Sequence, residues 1–255
     1  MSSSPSALIS QKSDADQVSY DLIFKDDYVI AQIGDRKALI DTGCPLTGTN
    51  GEPFCLFGKR ISRKGSFGTF SLSETSRLMG IHLDAIVGMD VLGRYPWLLD
   101  WQGRKINFFR KPQKFGGTVV PVRQSAQSHI VVDFEVAGKK KEAILDTGAP
   151  LQFKDADFAC GDPVREQEDF SPLISRHFAT PVYRTPIRFA GEQFETEFGV
   201  LPDELQSYLS LVGVRWVLGG PCLKRHPVYW DIPNRCIHVL NKGGADKKKR
   251  KGDVI

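Results

Sequence analysis

The sequence predicts an all-β protein built from two similar halves, with only a few short helices. Short runs of β-branched and aromatic residues, often alternating with polar residues, recur between glycines and prolines, which is typical of strands joined by tight turns. An internal repeat then returns in the same order in both halves of the chain. The clearest strand-like runs are residues 18–24, 28–34, 37–40, 130–136 and 187–198.

The internal repeat has two parts. The segment ALIDTGCPL, residues 38–46, returns 105 residues later as AILDTGAPL. Residues 88–109 return without a gap as residues 219–240, keeping glycine, leucine, arginine, proline and aspartate in the same order. The chain is therefore an internal duplication, with a longer middle in the second half. Short helices are predicted at residues 90–94 and at their counterparts 221–225, and a longer one at 203–211.

The repeat and the composition together predict four segments. Residues 1–17 are expected to be a disordered N-terminal segment and residues 243–255 a basic disordered tail. The two halves are assigned to residues 18–115 and 116–242, because Lys, Pro and Gly replace the apolar pattern at residues 110–117. The formal net charge is +4, and the Lys-rich run at 247–251 carries much of it, so the body is close to neutral. We read that run as a solvated tail and expect no nucleic-acid contact from it.

Composition excludes several classes of protein. The five cysteines are odd in number and form no C-x-x-C pair, and the five histidines form no H-E-x-x-H motif. Neither a disulfide framework nor a metal site is indicated, so we expect reduced thiols, no metal and no cofactor. No run approaches the roughly 18–20 apolar residues that span a bilayer. Residues 1–17 contain no apolar stretch of signal-peptide length, so we expect a cytoplasmic protein without a membrane span.

Each half carries one Asp-Thr-Gly turn after an apolar strand, with the aspartates at Asp41 and Asp146. Such a strand delivers a carboxylate to the end of a sheet, the glycine permits a sharp turn, and the threonine hydroxyl can bond across to the other turn. Two turns that face each other bring the carboxylates together, where both cannot ionise comfortably and one proton is shared. One carboxylate then acts as a base toward water while the other donates a hydrogen bond to a carbonyl oxygen.

On these motifs the chain resembles the retropepsin-like aspartic proteases, retroviral and bacterial enzymes that assemble from two identical chains. Residues 39–43 and 144–148 carry the resemblance, together with the apolar-Gly elements at 86–88 and 217–219. Residues 88–108 look especially like the bacterial members. The resemblance implies two β-barrel lobes in a pseudo-twofold arrangement, with the active site between them. It also implies an aspartic endopeptidase that acts on an extended peptide or protein. Because both Asp-Thr-Gly turns lie in one chain and are linked by the short segment 110–117, we expect this enzyme, unlike its two-chain relatives, to be active as a single chain.

Carried over residue by residue, the resemblance assigns a role to each position of the two motifs. Asp41 and Asp146 become the catalytic pair, and Thr42 and Thr147 become the interlocking threonines. The glycines implied to support or pack beneath the active loops are Gly43, Gly148, Gly88 and Gly219.

The family covers its cleft with glycine-rich hairpins, and residues 64–70 are a candidate flap that includes Gly65, Phe67 and Gly68. The comparable stretch of the second half, residues 170–178, holds no glycine, so a flap there is either absent or built differently. Pro221 also replaces the acid found at Asp90. A pepsin-like arrangement with a single flap fits this asymmetry, but the chain is short for a pepsin and lacks its disulfides, so we prefer the retropepsin-like interpretation.

The main rival is a catalytically inactive peptide-binding or scaffold module on the same fold. Two further sets of residues have plain structural interpretations. Asp100 and Asp231, which recur in register, are expected to be turn or salt-bridge residues. The tryptophans Trp97, Trp101, Trp216 and Trp230 are expected to lie in the core.

Overall fold

The computed structural model describes residues 16–61, 66–67, 70–158 and 161–241. Apart from residues 16 and 17, the predicted N-terminal segment lies outside the described residues, and so does the predicted basic tail. The described part is mostly β, as the sequence predicts. Among its helices none has both the length and the apolar character needed to cross a bilayer.

The first repeat contains eleven strands and two helices in the described residues. They are β1 (Gln17–Lys25), β2 (Tyr28–Ile33), β3 (Arg36–Ile40), β4 (Gly48–Thr49), β5 (Phe54–Leu56), β6 (Lys59–Ile61), β7 (Ser66–Phe67), β8 (Phe70–Ser71), α1 (Leu72–Met79), β9 (Ala85–Val87), α2 (Met89–Leu92), β10 (Trp97–Asp100) and β11 (Lys105–Phe109).

The second repeat contains ten strands and two helices in the described residues, with two short 3-10 turns at Pro172–Ile174 and Ile232–Asn234. They are β12 (Thr118–Gln124), β13 (Ile130–Val136), β14 (Lys139–Leu145), β15 (Gln152–Lys154), β16 (Arg165–Ser171), β17 (Arg176–Phe189), β18 (Glu192–Val200), α3 (Asp203–Val212), β19 (Trp216–Leu218), α4 (Gly220–Leu223), β20 (Val228–Asp231) and β21 (Cys236–Val239).

The same strand pairings occur in both repeats. Strand β1 lies between β2 and β11, and its counterpart β12 lies between β13 and β21. Strand β3 runs antiparallel to β2 and parallel to β9, as β14 does to β13 and β19. The duplication read from the sequence is therefore also a duplication of topology. Seventeen of the described strands are connected by hydrogen bonds into one large sheet, and β5–β6 and β7–β8 form separate hairpins.

Two-residue turns with a positive φ at both positions close several of the hairpins. Asp26 and Asp27 have φ of 51° and 67°, and Ala190 and Gly191 have φ of 52° and 82°, which match the right-handed twist of the flanking strands. The turn at Ala190 corrects one prediction, because the single strand expected at residues 187–198 is two strands, β17 and β18, in a hairpin. Polar and apolar residues alternate on both sides of this turn, so periodicity alone did not reveal it.

All three predicted helices are present, and one further helix was missed. Helix α1 begins after Ser71, whose hydroxyl accepts the backbone N–H of Glu74 at 3.1 Å, and ends at Gly80, which has φ of 59°. This Ser-x-x-Glu cap was the available signal. The helix is short, so its apolar spacing did not stand out from the surrounding turn-rich sequence.

The two repeats are joined through their cores. Strands β10 and β20 pair antiparallel and place Trp97 opposite Trp230. Both side chains are fully buried, and their rings stack with centroids 4.5 Å apart. Trp101 and Trp216 are also buried, so the prediction that all four tryptophans lie in the core is confirmed. One buried cluster contains residues of both repeats, so the halves share a hydrophobic core.

Replacing Trp230 with alanine should lower the free energy of unfolding by about 3–5 kcal/mol, because it opens a cavity at the point where both repeats meet. Urea denaturation followed by circular dichroism measures this loss. Leu211, which is 79% exposed, provides the control, since Leu211→Ala should change stability by less than about 0.5 kcal/mol. Equal effects of the two substitutions would contradict a core shared at Trp230.

Candidate functional site

The two predicted aspartates lie at equivalent strand ends. Asp41 follows β3, and its backbone N–H donates to the carbonyl oxygen of Val87 at the end of β9, at 3.0 Å. Asp146 follows β14, and its N–H donates to the carbonyl oxygen of Leu218 at the end of β19, at 2.9 Å. In each repeat a pair of parallel strands therefore fixes the position of the aspartate backbone.

A reciprocal set of hydrogen bonds between Thr42 and Thr147 holds the two turns together. The Thr42 hydroxyl donates to the carbonyl oxygen of Leu145 at 2.7 Å and accepts the N–H of Thr147 at 3.0 Å. The Thr147 hydroxyl donates to the carbonyl oxygen of Ile40 at 2.7 Å and accepts the N–H of Thr42 at 3.0 Å. Both threonines are fully buried. We call this arrangement the threonine clasp.

The clasp brings each aspartate against the glycine of the opposite turn. A Cβ atom on Gly148 would lie 2.5 Å from Cγ of Asp41, and one on Gly43 would overlap the carboxylate of Asp146. No side chain larger than a hydrogen fits at either position without displacing a carboxylate. Gly148 also donates its N–H to Oδ1 of Asp146 at 2.7 Å. The structure thus places Asp41 and Asp146 at one site, each partly exposed.

Both carboxyl groups have pKa values above that of an ordinary aspartate. Burial, followed by the negative charge of Asp146, raises the pKa of Asp41 well above its ordinary value. Burial also raises the pKa of Asp146, but the N–H groups of Gly148 and Gly43 and a hydrogen bond from Asp41 oppose that rise. Two neighbouring carboxyl groups with raised pKa values therefore favour one shared proton over two negative charges.

Gly88 and Gly219 pack beneath the two turns, as predicted. A Cβ on Gly88 would lie 2.7 Å from the carbonyl oxygens of Cys44 and Leu46, and one on Gly219 would lie 2.5 Å from that of Ala149. Main-chain atoms form both contacts and cannot move aside. Each glycine is therefore required for the close approach of the following helix to its turn.

The predicted flap is only partly described. Strands β7 and β8 pair antiparallel, Ser66 with Ser71 and Phe67 with Phe70. Gly65 and Gly68 lie outside the described residues.

In the second repeat, β16 and β17 form a longer hairpin over the stretch that lacks glycine. Its turn uses Pro172 and a left-handed Ser175 with φ of 50°, which explains how a hairpin forms there without glycine. The second repeat therefore has a hairpin at the stretch where the sequence left a flap open, and whether it covers the site stays a prediction.

One acidic residue near the Asp41–Asp146 pair, Asp169, was not predicted from the sequence. Asp169 in β16 is 7% exposed and accepts the backbone N–H of Phe170 at 2.7 Å. The hydroxyl of Tyr28, from β2 of the first repeat, donates a long hydrogen bond of 3.5 Å to it. Burial raises the pKa of Asp169 to about 7, and the charge of Asp146 adds to the rise. The second-repeat hairpin therefore reaches across to the first repeat close to the aspartate pair.

The cysteines are consistent with the prediction of reduced thiols. Cys44, Cys55, Cys222 and Cys236 are all free, and Cys160 lies outside the described residues. Cys44 follows the first Asp-Thr-Gly turn and is buried, and burial together with the charge of Asp41 raises the pKa of its thiol well above the usual range. A protonated, buried thiol is a poor nucleophile.

Comparison of the chain with known proteins found no family model that matches it and no significant match among curated proteins. The assignment of a function therefore depends on the geometry of the site.

Replacing Thr42 with valine should lower the free energy of unfolding by roughly 2–4 kcal/mol, because it leaves the N–H of Thr147 and the carbonyl of Leu145 buried without partners. Thr42→Ser keeps the hydroxyl and should cost only about 1 kcal/mol for the lost methyl group. Urea denaturation of the two variants measures the difference. A valine variant as stable as the serine variant would argue against the clasp.

Asp169 should make stability depend on pH. The folded protein binds the Asp169 proton more tightly than the unfolded chain, in which its pKa is about 3.9. Stability from this group is fully present below pH about 4 and is lost as the pH rises to about 7, by at most about 4 kcal/mol. The asparagine of the Asp169→Asn variant cannot ionise. The stability of this variant should therefore not fall with pH through position 169.

The measurement is the free energy of unfolding of both proteins between pH 4 and pH 8. The stability of Asp169→Asn relative to the wild type should rise as the pH rises. Glu168→Gln, an exposed neighbour on the same strand, is the matched control and should follow the wild type. Parallel curves for the Asp169 variant and the wild type would show that Asp169 keeps an ordinary acidity.

Proposed function

We propose that this protein is an aspartic endopeptidase, in which Asp41 and Asp146 activate a water molecule to hydrolyse a peptide bond. The observation that carries the proposal is the threonine clasp, which unites one carboxylate from each repeat at a single, partly exposed site. Two carboxyl groups held side by side with limited access to water cost stability, and each repeat contributes one of them. Groups held in this way are typical of catalytic centres.

In the proposed mechanism the single shared proton gives the two carboxyl groups different roles. Ionised Asp146 accepts a proton from the water molecule, whose oxygen attacks the carbonyl carbon, while protonated Asp41 donates its proton to the carbonyl oxygen. A tetrahedral diol forms with no charge left on the carbonyl oxygen. Its collapse breaks the C–N bond, as the proton on Asp146 passes to the leaving nitrogen and Asp41 recovers its own from the diol. Neither a covalent intermediate nor a metal ion enters these steps.

The repeated topology supports a retropepsin-like arrangement within a single chain. We infer that the two repeats form two lobes related by a pseudo-twofold axis, with the aspartate pair between them. An extended peptide would lie over the aspartate pair, beneath the paired strands β7 and β8 and the β16–β17 hairpin, and bind as an added strand. The free cysteines fit a reducing compartment, so a cytoplasmic enzyme is proposed.

The decisive experiment is cleavage of a mixed peptide library by purified protein, read by mass spectrometry between pH 3 and pH 7. Asp41→Asn and Asp146→Asn should each reduce the cleavage rate by about 10²–10⁴-fold, because asparagine neither carries the shared proton nor accepts one from water. The rate of the wild type should follow a bell-shaped pH profile on the acid side of neutrality, since one carboxylate must be ionised and the other protonated.

Asp100→Asn is the matched control, because Asp100 also recurs in both repeats but lies at a hairpin turn outside the site, where it accepts the N–H of Gly103. It should retain full activity. Mixing the two inactive variants should restore nothing, since both turns of one site belong to one chain. Folded wild-type protein that binds library peptides without cleaving any of them would instead identify the inactive peptide-binding module.

A further inference from the structure

Three side chains capable of binding a metal ion share one face of the β20–β21 hairpin. Asp231 lies directly opposite Cys236 in the register, and Tyr229 lies opposite His238. Opposite residues on paired strands point to the same face, as do residues two apart on one strand. One carboxylate oxygen of Asp231, the sulfur of Cys236 and one ring nitrogen of His238 all lie within 4.8 Å of one another.

The spacing of the sulfur and the imidazole suits a tetrahedral ion. Sγ of Cys236 is 3.6 Å from Nε2 of His238. A zinc ion bound at about 2.3 Å from sulfur and about 2.1 Å from nitrogen, with a tetrahedral angle between them, separates the two ligand atoms by about 3.6 Å. The ring of His238 also packs edge-on against Tyr229, with centroids 5.6 Å apart. The two ligands therefore need no large movement to bind one ion.

The carboxylate of Asp231 indicates a cation site independently of the spacing of the other two ligands. Asp231 is only 5% exposed, and its Oδ2 accepts a hydrogen bond from Nδ2 of Asn234 at 2.9 Å. Its Oδ1 is buried and has no hydrogen-bond partner among the described residues. A buried carboxylate oxygen without a partner is costly, and a bound cation would remove this cost. Asn234 would hold the other oxygen and so orient the ligand.

The equivalent hairpin of the first repeat can be compared with this one. The positions equivalent to Asp231, Cys236 and His238 in the first repeat are Asp100, Lys105 and Asn107, on the β10–β11 hairpin. There, Oδ1 of Asp100 accepts the N–H of Gly103 at 2.9 Å and so closes the turn. The same hairpin thus folds without cysteine or histidine. Asp231 also lies at a turn, as expected, and its Oδ2 accepts from Asn234 in that turn, but its Oδ1 has no such bond.

We propose that Asp231, Cys236 and His238 bind one zinc ion, at a site separate from the Asp41–Asp146 pair. Thiolate, imidazole and carboxylate ligands together suit zinc better than magnesium or calcium, which prefer oxygen. Three protein ligands leave a fourth position for water, and Cys236 and His238 are partly exposed, so an ion can enter. The ion would cross-link β20 to β21, next to the junction of β20 with β10. The expectation of no metal rested on C-x-x-C and H-E-x-x-H patterns, and this cluster has neither.

The test begins with full-length protein treated with a chelator and then titrated with zinc chloride. Isothermal titration and elemental analysis should give one zinc ion per chain, and zinc should raise the thermal midpoint. Cobalt(II) added in place of zinc should produce a thiolate-to-cobalt absorption band. Cys236→Ser and His238→Asn should each weaken zinc binding at least about tenfold, and Cys236→Ser should abolish the cobalt band.

Three controls determine whether the zinc is bound at this cluster and nowhere else. Cys55→Ser changes an exposed free thiol and should leave stoichiometry and affinity unchanged. The double variant Asp41→Asn/Asp146→Asn should bind zinc as the wild type does, which excludes an ion held by the aspartate pair. The thermal midpoints of the metal-free Cys236 and His238 variants show whether they fold. No zinc bound by wild-type protein, or equal affinity in the folded variants, would overturn the proposal and leave a simple cysteine–histidine contact.

Discussion

The threonine clasp is the interaction on which the rest of the site depends. Each hydroxyl donates to a carbonyl of the opposite repeat and accepts an N–H from it, so that four buried backbone groups are satisfied by two side chains. Neither repeat can satisfy these groups alone. A buried polar group without a partner is costly, so the clasp makes one arrangement of the two turns strongly preferred. That arrangement of the turns also fixes the distance between the carboxylates of Asp41 and Asp146.

The constraint operates through glycine as well. Gly43 and Gly148 leave just enough room for the carboxylate of the other turn, so the same geometry that satisfies the threonines forces two acidic groups together. Burial raises the pKa of both carboxyl groups, the charge of Asp146 adds to the rise at Asp41, and backbone N–H groups oppose the rise at both. The closeness of the two groups favours a single shared proton.

Once the clasp fixes the centre, the two copies can diverge around it. In the first repeat Asp90 accepts hydrogen bonds from the N–H and the hydroxyl of Thr47, at 2.7 and 2.6 Å, and Pro221 stands in the place of Asp90 in the second. The second repeat instead carries the long β16–β17 hairpin with the buried Asp169, and the ligand-like cluster at Asp231. These differences lie away from the hydrogen bonds of the clasp, so each copy can change them without losing the other's carboxylate.

The sequence by itself determined the class of fold, the duplication and the positions of the two Asp-Thr-Gly turns, because these depend on short-range patterns. Strand periodicity, turn residues and a repeated nine-residue motif are all readable within a few positions of each other. It also placed Gly88 and Gly219 correctly, through the motif that contains them. The sequence did not reveal the turn at Ala190, because polar and apolar residues keep alternating on both sides of the point where the chain reverses.

Only the tertiary structure decided which polar residues meet. Tyr28 and Asp169 are 141 positions apart, and Asp169 lies in a run of charged residues that looks solvated throughout. Asp231, Cys236 and His238 come together through the register of two strands and not through a recognisable spacing. Burial, and therefore acidity and the lack of a hydrogen-bond partner, depends on which neighbours cover a side chain, and those neighbours come from distant parts of the chain.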